Sequence, residues 1–115
     1  MIVVNISIDR FGFIRGYTVK GHSNFAQYGE DIVCAAVSVL AQTALNSMVE
    51  VCGVDENKID YSIDDEIGYL EMNLPSDLDE VVLDKTQIVL KVFELGIKSI
   101  IESYPKYVTL KYREV

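Results

Sequence analysis

Gly21-His22-Ser23-Asn24-Phe25-Ala26-Gln27-Tyr28-Gly29-Glu30-Asp31-Ile32-Val33-Cys34-Ala35-Ala36 is the stretch on which the reading of this chain turns. It holds the only histidine, one of two cysteines and two of seven glycines. Asp31 reads as a helix N-cap, which puts the Cys34 thiol on the first turn. Backbone N–H groups there lack helical partners, and the helix dipole favours an anion. The thiolate is the reactive form of cysteine, and a helix N-terminus is one of the places where a thiol pKa falls. The imidazole of His22, on the loop just before the helix, is a candidate proton acceptor. This arrangement points to a cysteine-dependent hydrolase.

Working outward, residues 2–8 alternate as a strand with Ile2, Val4, Ile6 and Ile8 on one face. Asp9-Arg10-Phe11-Gly12 reads as a turn, and Ile14 to Lys20 as the second strand of a hairpin. Asp31 to Val51 reads as a helix stopped by Gly53. Lys58 to Ile63 and Tyr69 to Leu74 form a second hairpin around Asp64-Asp65-Glu66. Pro75-Ser76 is expected to open a second helix, with Ser76 and Asp79 approximating a capping box. Tyr104-Pro105 stops that helix near Ser103, because proline disfavours helical geometry at the preceding residue. Tyr107 to Arg113 reads as a last strand.

The order ββαββαβ implies an α+β fold: one domain, residues 1–115, with two helices packed on a mostly antiparallel sheet. The first helix is apolar nearly all round, through Ile32, Val33, Val37, Val39, Leu40, Ala44, Leu45, Met48 and Val49. Such a helix is expected to be buried on all sides, between sheet and second helix or between two subunits. The expectation that follows is a homodimer.

Composition narrows the function. The 115 residues carry 18 acidic against 10 basic side chains, a net charge of −8. Phosphate-backbone contacts need clustered Lys and Arg, so direct nucleic-acid binding is not expected. An acidic surface instead steers basic partners. The N-terminal residues alternate and lack the charged start and long apolar run of a signal peptide. The run Ile32 to Ala41 is broken by Cys34 and Ser38 and followed by Gln42, Asn46 and Glu50, which fits a core helix and not a membrane span. A cytoplasmic protein is the expectation. Its two cysteines then read as free thiols. On one helix Cys34 and Cys52 would lie roughly 27 Å apart, beyond the reach of a disulfide. One histidine and two distant cysteines support no metal site, and no cofactor-binding motif is present.

Free cysteine is often a small apolar core residue, and this is the plain reading of Cys52. At Cys34 the position argues otherwise. Asp31 as cap accepts its N–H, the small Ala35 leaves room for a substrate, and Ser38 lies one turn further on the same face. His22 directly follows the end of a strand, so the loop Gly21 to Glu30 can bring it to Cys34. His22 would take the thiol proton and return it to the leaving amine, while N–H groups at Cys34 and Ala35 stabilise the oxyanion. Gly21 and Gly29 read either as turn residues or as hinges of a lid carrying Phe25 and Tyr28 over the substrate. Asp31 can serve as cap or can orient His22. The tyrosines Tyr104, Tyr107 and Tyr112 read as sheet packing.

Gly21-His22, followed by Gly29-Glu30-Asp31-Ile32-Val33-Cys34-Ala35-Ala36-Val37-Ser38, closely resembles the ribosomal-processing cysteine protease (Prp) family of bacteria. Chain length, element order and acidic character fit the same family. The resemblance implies a small dimeric cysteine endopeptidase. It would remove a short N-terminal extension from a large-subunit ribosomal protein precursor, cutting after an aromatic pair. Cys34 matches the family nucleophile and His22 its general base. Gly21 to Glu30 matches a loop that orders over substrate, and Asp31 and Ser38 fall at recurring positions. Ser23-Asn24 departs from the Ala-Gly pair often found there. Two rivals stand beside this reading: a non-enzymatic ribosome-assembly or adaptor dimer holding a basic tail, and a redox-sensing thiol protein. The second lacks a nearby resolving cysteine.

Overall fold

Alternation along the first hairpin gives each strand one apolar face. In a computed structural model, which describes residues 1–27 and 31–115, these residues form β1 (Ile2–Ile8) and β2 (Ile14–Lys20). They pair antiparallel with Val4 opposite Val19 and Ile6 opposite Tyr17. The turn is fixed by Asp9, whose carboxylate accepts the N–H groups of Phe11 and Phe13 at 2.9 and 3.0 Å. Gly12 there adopts φ +87°, which a glycine takes without steric cost.

Helix α1 spans Ile32–Glu50. A short 3-10 turn at Glu56–Lys58 leads into β3 (Asp60–Asp64) and β4 (Tyr69–Asn73). Helix α2 spans Glu80–Ser103 and β5 spans Val108–Glu114. The sheet order is β3-β4-β2-β1-β5, with three antiparallel pairs and a parallel β1–β5 pair. The expected order and mostly antiparallel character therefore hold.

Both helices contribute to one core. Ile2, Val4, Ile6, Tyr17, Val19, Leu70, Met72 and Val108 from the sheet meet Val33, Val37, Ala41 and Met48 of α1 and Leu90, Phe93 and Ile97 of α2. Tyr17 stacks on Phe93 with centroids 4.3 Å apart, and its hydroxyl donates to the Ala41 carbonyl at 2.6 Å. That bond satisfies the one polar atom a tyrosine carries into a core. The helices approach closely at Gly96, where an added Cβ would lie 2.8 Å from Leu40.

One expectation is corrected. Helix α2 starts at Glu80, with Asp79 as cap accepting the Val82 N–H at 2.9 Å, and Ser76 lies outside it. The reason is tertiary: the Arg15 guanidinium donates to the Pro75 carbonyl at 2.8 Å, and Leu74 N–H donates to the Arg15 carbonyl at 2.8 Å, so the chain is tied to β2 right up to the first available cap. Within one chain, helix α1 is buried on one face. Val33, Val37, Ala41, Ala44, Leu45 and Met48 form the inner face, whereas Ile32 and Val39 are 55% and 64% exposed. The helix is long and apolar enough to cross a membrane by length and composition alone, yet its inner face is core.

Candidate active site

The Asp31 cap organises the site. Its Oδ1 accepts the N–H groups of Val33 and Cys34 at 3.1 and 2.9 Å. Its Oδ2 faces back into the loop, accepting the Ser23 hydroxyl and, at 3.1 and 3.4 Å, the N–H groups of Phe25 and Ala26. Burial pushes this carboxyl up, but the bonds from Ser23, Cys34 and Ala26 outweigh it and hold the pKa at about 2. Asp31 is therefore an ionised, acceptor-only hub joining loop to helix. Its role as cap is observed; it makes no bond to His22, because its oxygens are occupied by these donors.

Cys34 is half-buried on the first turn of α1. Its sulfur accepts the Ser23 N–H at 3.3 Å and lies 3.4 Å from Ser23 Oγ. His22 is exposed, and its Nε2 lies 3.4 Å from the Glu66 carbonyl in the β3–β4 turn. A carbonyl only accepts, so this contact requires Nε2–H and leaves Nδ1 of a neutral ring as the acceptor. The turn is held there by the Gly21 N–H, which donates to the Gly68 carbonyl at 2.9 Å. Gly68 adopts φ +63°, and an added Cβ would lie 2.6 Å from the Gly21 carbonyl and 3.0 Å from the imidazole.

His22 and Cys34 face the same cavity, of about 510 Å³, a size suited to a small ligand or a few residues of peptide. Its floor is α1, through Cys34, Ala35, Val37, Ser38, Ala41 and Gln42. One wall comes from Ile2, Val19, Gly21, Asn24, Ala26 and Asp31. The other comes from Ile63, Asp65, Gly68, Tyr69 and Leu70. The two expected chemical groups thus share one opening, though each is bonded to another partner: Cys34 to Ser23, His22 to Glu66.

One sequence expectation fails. The N–H groups of Cys34 and Ala35 are not available to an oxyanion: Cys34 N–H serves the Asp31 carboxylate at 2.9 Å, and Ala35 N–H serves the Asp31 carbonyl at 3.0 Å. The cap that positions the thiol consumes the first-turn donors. Ser38 remains on the cavity floor with its hydroxyl. Among the substrate-loop residues, Gly21 adopts φ +97°, as a turn residue does. Phe25 packs edge-on against Tyr104 and Tyr107, with centroids 5.5 and 5.2 Å away. Tyr28 and Gly29 lie outside the described residues.

Sequence reasoning passed over Ser23, which is 3% exposed and touches both Asp31 and Cys34. Its adjacency to His22 was the available signal. Asn24 beside it adopts φ +59°, a conformation that asparagine tolerates and glycine takes freely. Glu66 acts through its main chain, so its side chain carried no signal.

The sequence and the fold both match known proteins. The family model for cysteine protease Prp matches residues 1–109. The ribosomal processing cysteine protease Prp of Staphylococcus aureus (strain Mu50) is 26% identical over 113 residues, 98% of this chain and all of that one. Its Bacillus subtilis (strain 168) counterpart is 30% identical over 91 residues, 79% of each chain. Among solved structures, S. aureus Prp in complex with a covalently linked product peptide superposes with a TM-score of 0.84 at 25% identity, covering 98% of this chain and 100% of that one. A Streptococcus mutans protein superposes at 0.82 with 28% identity, covering 100% and 96%.

Proposed function

We propose, from the premise that this chain belongs to the cysteine protease Prp family, that residues 1–115 form a single protease domain with Cys34 as nucleophile and His22 as general base. Its substrate is the precursor of a large-subunit ribosomal protein. It removes a short N-terminal extension by cutting after an aromatic pair. The observation that carries this reading is that Cys34 and His22 line the same cavity.

The chemistry follows from the groups present. His22 takes the Cys34 proton on Nδ1, and the sulfur attacks the scissile carbonyl carbon. The tetrahedral oxyanion draws on the Ser38 hydroxyl, since the first-turn N–H groups are engaged by Asp31. Collapse expels the amine, which takes the proton from the imidazolium and leaves an acyl-enzyme thioester. Water then attacks that thioester, giving a proton to His22, and the freed thiolate recovers it. The Glu66 carbonyl, 3.4 Å from Nε2, fits the tautomer that leaves Nδ1 to act as the base.

The apolar lining from Ile2, Val19, Ile63 and Leu70 suits aromatic substrate side chains. The net charge of −8 attracts a basic extension, with a strength that falls as salt rises. The same charge sets the protein apart from nucleic-acid binders, and we place it in the cytoplasm, away from membranes. The outer face of α2 exposes Val81, Ile88, Val92 and Leu95 at helical spacing; we read this stripe as the contact surface of a homodimer.

Incubation with a peptide spanning the extension, followed by mass spectrometry, tests the reading. One cut after the aromatic pair is expected. His22→Ala is expected to lower turnover by about two to four orders of magnitude. Binding without cleavage would leave the adaptor function in its place.

A further inference from the structure

The hydrogen bonds around Cys34 converge on Ser23. Asp31 is ionised and can only accept, so the Ser23 hydroxyl must give its single proton to Asp31 Oδ2. Its oxygen is then left to accept with two lone pairs, and the neighbours positioned to donate are the Phe25 main-chain N–H at 3.2 Å and the Cys34 thiol at 3.4 Å. The Ser23 main-chain N–H approaches the same sulfur at 3.3 Å. One residue therefore accepts from the thiol and donates to it, and it is itself anchored by the carboxylate that caps the helix. At 3% exposure, Ser23 has little room to turn elsewhere.

We propose that Ser23 is a positioning residue that fixes the side-chain rotamer of Cys34, holding the sulfur at the cavity floor for attack, and that Asp31 acts on the thiol through Ser23 as well as through the cap. A cysteine side chain has one rotatable bond to its sulfur and three staggered wells. The pair of contacts selects one of them before substrate arrives, which is the kind of preorganisation that raises the rate of a bound substrate. When His22 removes the thiol proton, the Ser23 hydroxyl can turn from Asp31 to donate to the thiolate. Asp31 keeps its four main-chain donors meanwhile, so no charge is left bare.

The inference rests on Cys34 being the nucleophile, and the experiment separates the two. Steady-state cleavage of the extension peptide is measured for the parent, Ser23→Ala, Ser23→Cys and Cys34→Ala, with thermal melts of each. Ser23→Ala is expected to lose about tenfold in kcat with KM within about twofold, because geometry and not affinity is affected. Ser23→Cys, which keeps a side-chain proton of similar reach, is expected to fall between parent and alanine variant. A Ser23→Ala kcat within twofold of the parent, or a loss in which Ser23→Cys is no better than alanine at an equal melting temperature, overturns the proposal. Cleavage surviving in Cys34→Ala overturns the nucleophile assignment instead.

Discussion

The two ends of helix α1 carry the two cysteines, and they treat the same side chain in opposite ways. At the N-terminal end Cys34 is half-buried at a cavity, hydrogen-bonded to Ser23, one turn from the Asp31 cap. Just past the C-terminal end Cys52 is 1% exposed among Met48 and Val54 in the core. Burial pushes its thiol up, and the charge of Lys85 offsets this only in part. A cysteine is chemistry or packing according to which end of a helix it occupies and whether solvent reaches it.

The comparison breaks most sharply under alanine substitution. Cys34→Ala is expected to abolish cleavage while leaving the melting temperature near that of the parent. Cys52→Ala is expected to do the reverse: full turnover, with a loss of about 1 kcal/mol on unfolding from the buried atoms removed. Denaturant melts and peptide cleavage on both variants check it, and equal loss of activity in the two would erase the distinction.

Alkylation sharpens it next. In the folded protein, iodoacetamide is expected to label Cys34 at least tenfold faster than Cys52, because the second sulfur is enclosed and its thiol is held protonated. Mass spectrometry of time points reads the order, and in denaturant the two rates should converge. Faster labelling of Cys52 would mean that the helix end opens readily.

The smallest effect concerns the cap that sets the N-terminal end apart. The folded pKa of Asp31, about 2, lies below its ordinary 3.8. Its stabilising contribution is therefore fully present above the ordinary value and is lost as pH falls through about 2. Asp31→Ala is expected to cost about 1 kcal/mol near neutrality. The gap to the parent should close between pH 4 and pH 2 in urea melts followed across that range. A gap that stays constant to pH 2 would show that the carboxylate charge is not what ties loop to helix.

Reading the chain captured what depends on near neighbours. The alternation of Ile2, Val4 and Ile6 set a strand, and Asp31 three residues before Cys34 set a capped first turn. Gly53 ended α1 as expected, with φ +80°. Where two signals competed nearby, sequence did not arbitrate. Ser76 and Asp79 are both good caps, and Arg15, sixty residues away, decided for the later one by holding Pro75 on β2. Along α1 the sequence did not say which apolar residues meet the core of the same chain: Val37 and Ala41 are buried there, whereas Val39 is exposed.

The candidate site divides along the same line. Sequence by itself determined which residues carry reactive groups, and it placed the thiol on a helix start, because capping and periodicity act over a few residues. Only the tertiary structure decided that the sulfur rests on Ser23 and that His22 rests on the carbonyl of Glu66. Those contacts join a loop, a helix and a distant hairpin turn. They depend on how the sheet order β3-β4-β2-β1-β5 brings the turn beside Gly21, a spatial fact that no local spacing encodes.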